Sequence, residues 1–246
     1  MARKSDTELI IGGIRADKRL PDQTREIKMK VGNIVSANGS AEVSFGTTTA
    51  LASVHGPRPL FPKHLQESQT GILRVRYNMA PFSVDDRKSP GPDRRSVELS
   101  KVIRLALEPA LFLDDYPKVT VDGFVEIIQA DGSTRVTGIN ALSLALASAG
   151  IPMQDLVAAC SVGKINGTLI VDLNGEEDNN SEADVAVAMI PNRNLVTLLQ
   201  MDGTLTKEEF VQLLDMAKKT CKKIYEMQRE ALLKNIRVKS DGNVCA

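Results

Sequence analysis

Hydrophobic and polar positions change period several times along this chain, and each change marks an element. Residues 26–31, 41–45 and 48–55 are short β-rich runs. Residues 71–83 (GILRVRYNMAPFS) alternate, with Leu73, Val75, Tyr77 and Met79 on one face and Arg74, Arg76 and Asn78 on the other. That period of two is the mark of a half-buried strand. A polar, proline-bearing loop over 84–93 leads to Asp93, an N-cap for a helix through Val97, Ile103, Ala106 and Leu107. Pro109 should interrupt that helix near Glu108. A β-branched run over 119–128 precedes a polar turn, and an apolar-periodic helix over 136–149 stops at Gly150, with Pro152 just beyond. Asn38-Gly39, Asn166-Gly167 and Asp202-Gly203 each predict a hairpin between apolar runs. Thr206 to Glu209 is a capping box that opens a terminal helix. Its apolar side carries Phe210, Leu213, Leu214, Ala217, Cys221, Ile224 and Tyr225, and the chain after Lys234 is expected to fray. Strands, helix, strand, helix, strands and a closing helix predict an α+β fold, with mixed sheets layered with helices.

Composition narrows this little. With 246 residues, 42% apolar and 25% charged, the chain can build a large core and is neither disordered nor membrane-like. Its longest apolar runs are too short to span a bilayer, and the first ten residues lack a signal-peptide core, so a soluble cytoplasmic protein is expected. Cys160, Cys221 and Cys245 lack metal-ligand spacing, and the first two sit in apolar surroundings as buried thiols. The formal net charge of zero hides a polarised distribution. Residues 58–104 hold ten Lys/Arg against five Asp/Glu, while 172–184 hold six carboxylates and no base. A basic stretch suits a polyanion, and a carboxylate cluster suits a divalent metal or proton transfer; solvated faces are the alternative for each.

Candidate chemistry concentrates in residues 129–142 (QADGSTRVTGINAL), where a strand turns sharply into a helix. Such a turn aims unpaired backbone N–H groups at whatever lies before the helix. Ser133 and Thr134 add hydroxyls, and Arg135 adds a guanidinium fork suited to phosphate oxygens. The turn reads as a phosphate cradle, with an ordinary N-cap beside a surface arginine as the plain alternative. Asp178 and Asp184 are six residues apart. They would stand about 20 Å apart on one strand, at ~3.3 Å per residue, or about 240° apart on one helix, at ~100° per residue. They share a site only if residues 179–181 fold back as a turn, which Asn-Asn-Ser favours. A P-loop nucleotidase, a Gly-x-Ser-x-Gly hydrolase and a histidine zinc site are all disfavoured, because their motifs are missing and only His55 and His64 are present. His55, at a strand end, reads as a hydrogen-bonded structural residue.

Taken in order, several motifs resemble the RNase PH-type phosphorolytic exoribonucleases. They are Arg15 to Arg19 with Arg25, Asn38 to Ala41, Phe45 to Thr48, Gln129 to Arg135, and Glu177-Asp178 with Ala183-Asp184. Residues 74–83 and Asp93-Arg94-Arg95 look like the catalytic ring subunit of the archaeal exosome rather than bacterial RNase PH. The resemblance implies an RNase PH-like fold spanning 1–246 as a single unit, with a first lobe over 15–149 and a second over 151–234 that includes the C-terminal helix. It implies assembly into a hexameric ring of three heterodimers with a related non-catalytic subunit, RNA-binding cap subunits on one face, and single-stranded RNA threading the pore. The implied activity is 3′→5′ degradation of RNA with inorganic phosphate as co-substrate, releasing nucleoside diphosphates, with reverse tailing. Homohexameric RNase PH trimming transfer-RNA 3′ ends, or a non-catalytic RNA-threading subunit, are the alternatives. By the same resemblance Ser133, Thr134 and Arg135 bind phosphate, and Asp178 is the general acid. Asp184, with Asp178, holds Mg²⁺ or Mn²⁺. Arg94 and Arg95 grip RNA near its 3′ end, and Lys63 and His64 belong to the pore constriction. Two positions depart from the family: Lys18 and Ser133 stand where glycine is usual, and serine tolerates positive φ poorly.

Overall fold

A helix buried on every side sits between two sheets and organises the molecule. The computed structural model describes residues 9–242. It begins with a small hairpin, β1 (Ile10–Ile11) and β2 (Ile14–Arg15). The first large sheet contains β3 (Ile27–Val31), β4 (Gly39–Phe45), β5 (Thr48–Pro59), β6 (Ile72–Met79) and β7 (Val119–Gln129), in the order β3-β4-β5-β7-β6. All its pairs are antiparallel except β6 with β7, whose parallel crossover carries α1 (Arg94–Leu107). The second sheet is antiparallel, ordered β11-β10-β8-β9, from β8 (Ala158–Ile165), β9 (Thr168–Val171), β10 (Ala183–Ile190) and β11 (Leu195–Gly203). Helices α2 (Thr134–Ser148), α3 (Gly175–Asn180) and α4 (Lys207–Gly242) complete the chain. The predicted α+β class with mixed sheets is borne out.

The sequence of α2 explains its place. Apolar and small residues surround it, and every residue from Val136 to Leu146 is buried, so it cannot lie on a surface. It packs on β4, β5 and β7 of one sheet and on β8 and β10 of the other. Its one buried amide, Asn140, is fully used. It donates to the Ala159 carbonyl at 2.7 Å, and its oxygen accepts from the Ala159 N–H at 3.0 Å and from Gln228 of α4 at 3.1 Å. Helix α4 covers β8 to β10 through Leu213, Ala217, Cys221 and Ile224, as its periodicity predicts. Cys160 and Cys221 are buried thiols 3.5 Å apart.

Several local expectations hold. Asp93 caps α1 through a reciprocal capping box with Ser96, and Pro109 converts the end of that helix into a 3₁₀ turn, Glu108–Ala110. Gly150 follows α2 with φ +75°, and Asn166-Gly167 make a two-residue hairpin with φ of 47° and 72°. Thr206 and Glu209 form the capping box of α4.

Others are corrected. The hairpin expected at Asn38-Gly39 forms, β3 pairing antiparallel with β4, but its loop spans residues 32–38, and Gly39 already pairs within β4. A Cβ there would lie 2.3 Å from the Ala145 carbonyl oxygen, so the glycine lets the strand pass against α2. Asp202-Gly203 ends β11 instead of reversing it, with Asp202 opposite Asp184 across the ladder. His55 lies inside β5 with its ring edge-on to Phe124 at 5.7 Å, not at a strand end. Helix α4 continues past Lys234 to Gly242. The reading of the first residues and of Cys245 falls partly or wholly outside the described residues. Among the described residues no helix is long and apolar enough to cross a membrane.

Candidate active site: an open helix end facing two carboxylates

Among the described residues three of the four α-helices begin with a side-chain cap, from Asp93 on α1, Asn174 on α3 and Thr206 on α4, while α2 has none. Its N-cap residue is Ser133, held in the left-handed region at φ 55° after Gly132 at φ 69°. The leading N–H groups of α2 are therefore left to an outside acceptor. The turn is held from beneath. Thr48 Oγ1 donates to the Gly132 carbonyl and accepts from the Asp131 N–H, both at 2.9 Å. Arg25 donates to the Asp131 carbonyl at 2.6 Å.

Around this helix end close Arg135, Thr134 and Ser133, with Arg95 from α1, Asp178 from α3 and Asp184 from β10, all lining one small cavity. It opens into a cleft of about 600 Å³ bordered by Arg95, Asp131, Thr134, Glu176 and Asp178 together with Lys88 and Asp85 of the preceding loop. The residues proposed for phosphate and acid chemistry thus converge. Asp178 and Asp184 meet by a route that differs from expectation: α3, a short helix, makes the reversal that a turn over 179–181 was expected to make. Ser181 closes it by donating to the Asp178 carbonyl at 3.0 Å.

Electrostatics mark this cavity. Burial, then repulsion from Asp178, raises Asp184 to about 6, against the pull of Arg135 and Arg95. Burial also raises Asp178, while Arg95 and Arg135 pull it down and Asp202 pushes it up. Two carboxylates and two guanidiniums thus face one another across the space that substrate would fill. Two polar atoms buried at its wall, Thr134 Oγ1 and Arg135 Nε, have no partner of ordinary hydrogen-bond geometry. The Tyr77 hydroxyl neighbours Thr134 and both arginines, and burial raises its pKa. Orphaned donors beside an uncapped helix end fit an anion with several oxygens.

Not every expected residue takes its expected part. The Ser133 hydroxyl points inward, donating to the Leu173 carbonyl and bonded to the Ser161 hydroxyl, both at 2.7 Å. It fastens the turn, and what it leaves for an anion is its backbone N–H. Arg94 is exposed and lies off the cavity lining, whereas Arg95 is on it. Lys63 and His64 lie on a separate exposed turn, Lys63–Leu65.

The charge pattern of 172–184 also resolves differently from a simple acidic loop. Asp172 and Glu177 are buried, 2% and 1% exposed, and both are bound by arginines near the start of the chain. Three arginines within eleven residues, Arg15, Arg19 and Arg25, were the signal for this network. Asp202, which bears on both active-site carboxylates, had no such signal, because only the β10–β11 register brings it there.

A divalent cation is tested by the donors present. Among the described residues no group of three or more His, Cys, Asp or Glu side chains is arranged to hold a metal. Mg²⁺ commonly binds through one or two carboxylates and completes its shell with water and substrate phosphate. The crowded Asp178–Asp184 pair fits that mode, and a bound cation would relieve the repulsion that raises Asp184.

Comparison with known proteins gives the family and the fold. Residues 23–152 match domain 1 and residues 155–220 match domain 2 of the 3′ exoribonuclease family, RNase PH type. The exosome complex component Rrp41 of Pyrococcus furiosus is 60% identical over 220 residues, covering 89% of this chain and 88% of that protein. The Rrp41 of Thermococcus gammatolerans is 58% identical over 233 residues, or 94% of each. Among solved structures, rice Rrp46 superposes with a TM-score of 0.79 at 23% identity, covering 89% of this chain and 100% of that one. The Archaeoglobus fulgidus exosome with RNA bound to the active site gives 0.77 at 22% identity, over 87% and 92%.

Proposed function

The chain belongs to the 3′ exoribonuclease family of RNase PH type, and from that premise we propose that it is a phosphorolytic 3′→5′ exoribonuclease, the catalytic ring subunit of an exosome-type complex. The observation that carries the reading is the uncapped end of α2 with Arg135, facing the Asp178–Asp184 pair across one cavity. Orthophosphate would lie on the α2 N–H groups and the Arg135 fork. One of its oxygens attacks the phosphorus of the last internucleotide linkage, and the bond to O3′ of the preceding nucleotide breaks. Asp178, whose carboxyl pKa burial raises above its ordinary value, would give that oxygen its proton. The products are a nucleoside 5′-diphosphate and an RNA one residue shorter with a free 3′-hydroxyl. Phosphoryl transfer of this kind needs positioning and charge stabilisation, and Arg95 and Arg135 supply fixed positive charge at the reacting centre. Where Mg²⁺ or Mn²⁺ is bound, Asp184 would hold it beside Asp178, whose proton goes to the leaving oxygen, and it would offset charge on the reacting phosphates.

Assembly into a ring is part of the same proposal, supported by the relatives' names as exosome complex components. It would comprise three copies of this chain alternating with a related non-catalytic subunit, with RNA-binding caps and a pore that threads single-stranded RNA past Lys63 and His64. A cytoplasmic location belongs to the same proposal.

The test incubates the full chain with its ring partner and a short oligoribonucleotide, with and without phosphate, and identifies the mononucleotide. Diphosphate released only with phosphate present is expected. Monophosphate in phosphate-free buffer would make water the attacker and sink the proposal. In Asp178→Asn, release should stop while RNA binding persists.

A further inference from the structure

Helix α3 carries Asp178 but has no buried apolar anchor. It is six residues long, too short to persist by its own hydrogen bonds. Its one buried side chain is Glu177, a carboxylate, where a helix of this kind would ordinarily bury an apolar residue. Glu177 is 1% exposed, and its partner Arg15 is fully enclosed. Arg15 Nε donates to Glu177 Oε1 at 2.7 Å, and its Nη2 donates to Oε2. The rest of the fork is also used, on the Val171 carbonyl at 2.6 Å and the Asp172 carbonyl at 2.8 Å. Glu177 Oε2 further accepts the Asn174 N–H at 2.9 Å. Asn174 is the N-cap of α3 itself, so the outside grip on Glu177 is that of Arg15, with Arg19 Nη2 farther off at 3.5 Å.

A second tie fixes α3 to the phosphate turn. Asp131 Oδ1 accepts the Gly175 N–H at 2.9 Å, and the Asp131 carbonyl is held by Arg25. Arg25 in turn clasps the Asp172 carboxylate, at 3.0 Å through Nε and 2.7 Å through Nη2. Arg15 reaches this place because Leu9, just before the β1–β2 hairpin, packs with Ile165, Ile170 and Leu173. The hairpin lies outside residues 23–152 and 155–220, which match the two family domains.

We propose that Arg15 and Glu177 are positioning residues, a buried ion pair that sets α3, and with it Asp178, against the phosphate turn. The inference rests on the proposed phosphorolysis for its meaning in catalysis. A buried bidentate pair fixes direction as well as distance, which an apolar contact would leave free to slide. The turn itself does not depend on Arg15, being held by Arg25, Thr48 and the Ser133 hydroxyl. Loss of the pair should therefore misplace the acid and spare the phosphate.

The test measures phosphorolysis by the full chain with its ring partner, for Glu177→Gln and Arg15→Lys, well below their melting temperatures. The kcat is expected to fall tenfold or more with the KM for phosphate within twofold of the parent, and Arg15→Lys, which keeps the charge, should lose less than Arg15→Met. If Glu177→Gln does not fold, Glu177→Asp keeps the charge, shortens the reach and should show the same split. Amide hydrogen exchange supplies a readout that needs no turnover. Residues 175–180 should exchange at least tenfold faster in the variants, and residues 134–138 at the parental rate. Parental kcat, or parental exchange over 175–180, would overturn the proposal. A parent that releases no diphosphate would refute the reaction, and the exchange arm would still decide whether Arg15 and Glu177 position α3.

Discussion

Replacing Asp184 by asparagine should make the protein more stable and inactive. Burial and the neighbouring Asp178 raise Asp184 from its ordinary 3.8 to about 6, so the fold favours its protonated form. The native state then holds more protons than the unfolded chain between those two values. The stability cost is nil below 3.8, grows as pH rises through that window, and is complete above about 6. At ~1.36 kcal/mol per pH unit the full cost is about 3 kcal/mol, and water in the open cleft reduces it to about 1–3 kcal/mol. Asp184→Asn removes the charge and so the cost. Melting at pH 7.5, without phosphate or divalent cation, should rise by roughly 2–12 °C, taking ~2–4 °C per kcal/mol for a chain of this size. At pH 4 the two proteins should melt together. Parental melting at pH 7.5, or a gain just as large at pH 4, would show that the fold does not strain this carboxylate. A stable and inactive variant would mark a charge kept for chemistry at the expense of the fold.

Four further outcomes follow from the same geometry. Gly132→Ala should cost several kcal/mol and turnover, because at φ +69° a Cβ would lie 2.5 Å from the Asn174 carbonyl carbon; parental melting would contradict this. Arg135→Ala should raise the phosphate requirement steeply, since a charge-assisted bond contributes about 1.5–3 kcal/mol; unchanged phosphate dependence would count against the cradle. Lys18→Gly should stabilise by about 0.5–1 kcal/mol, because Lys18 sits at φ 67° where glycine carries no steric penalty; denaturant unfolding reads this directly. Lys63→Ala should weaken capture of long RNA more than short RNA, and equal losses in a binding titration would remove Lys63 from the threading path.

Lys18 and Ser133, where the resemblance leads one to expect glycine, both take the left-handed backbone, at φ 67° and 55°. At Ser133 the strain has a visible return, since the hydroxyl ties the turn to Leu173 and to Ser161 of β8. At Lys18 no comparable side-chain bond is seen among the described residues, which is why Lys18→Gly should stabilise whereas Ser133→Gly, which loses the hydroxyl's bonds, should not.

Periodicity, caps and turn pairs determined most elements unaided, because each depends on residues close in sequence. Asp93, Thr206, Asn166-Gly167 and Gly150 act within a few positions of themselves, and the structure shows all of them acting as expected. The strand-to-helix turn before Arg135 was equally legible, as a local chemical pattern. Tertiary structure alone decided which charges were solvated and which were buried. Glu176 and Glu177 are adjacent and alike in sequence, yet Glu177 is enclosed by an arginine 162 residues away while Glu176 borders the open cleft. Likewise Asp202 comes to the active-site carboxylates through strand register, and Gly39 enters a strand because a helix presses on it. Short-range sterics and hydrogen bonds are written along the chain, whereas desolvation and charge pairing depend on what the folded chain brings alongside.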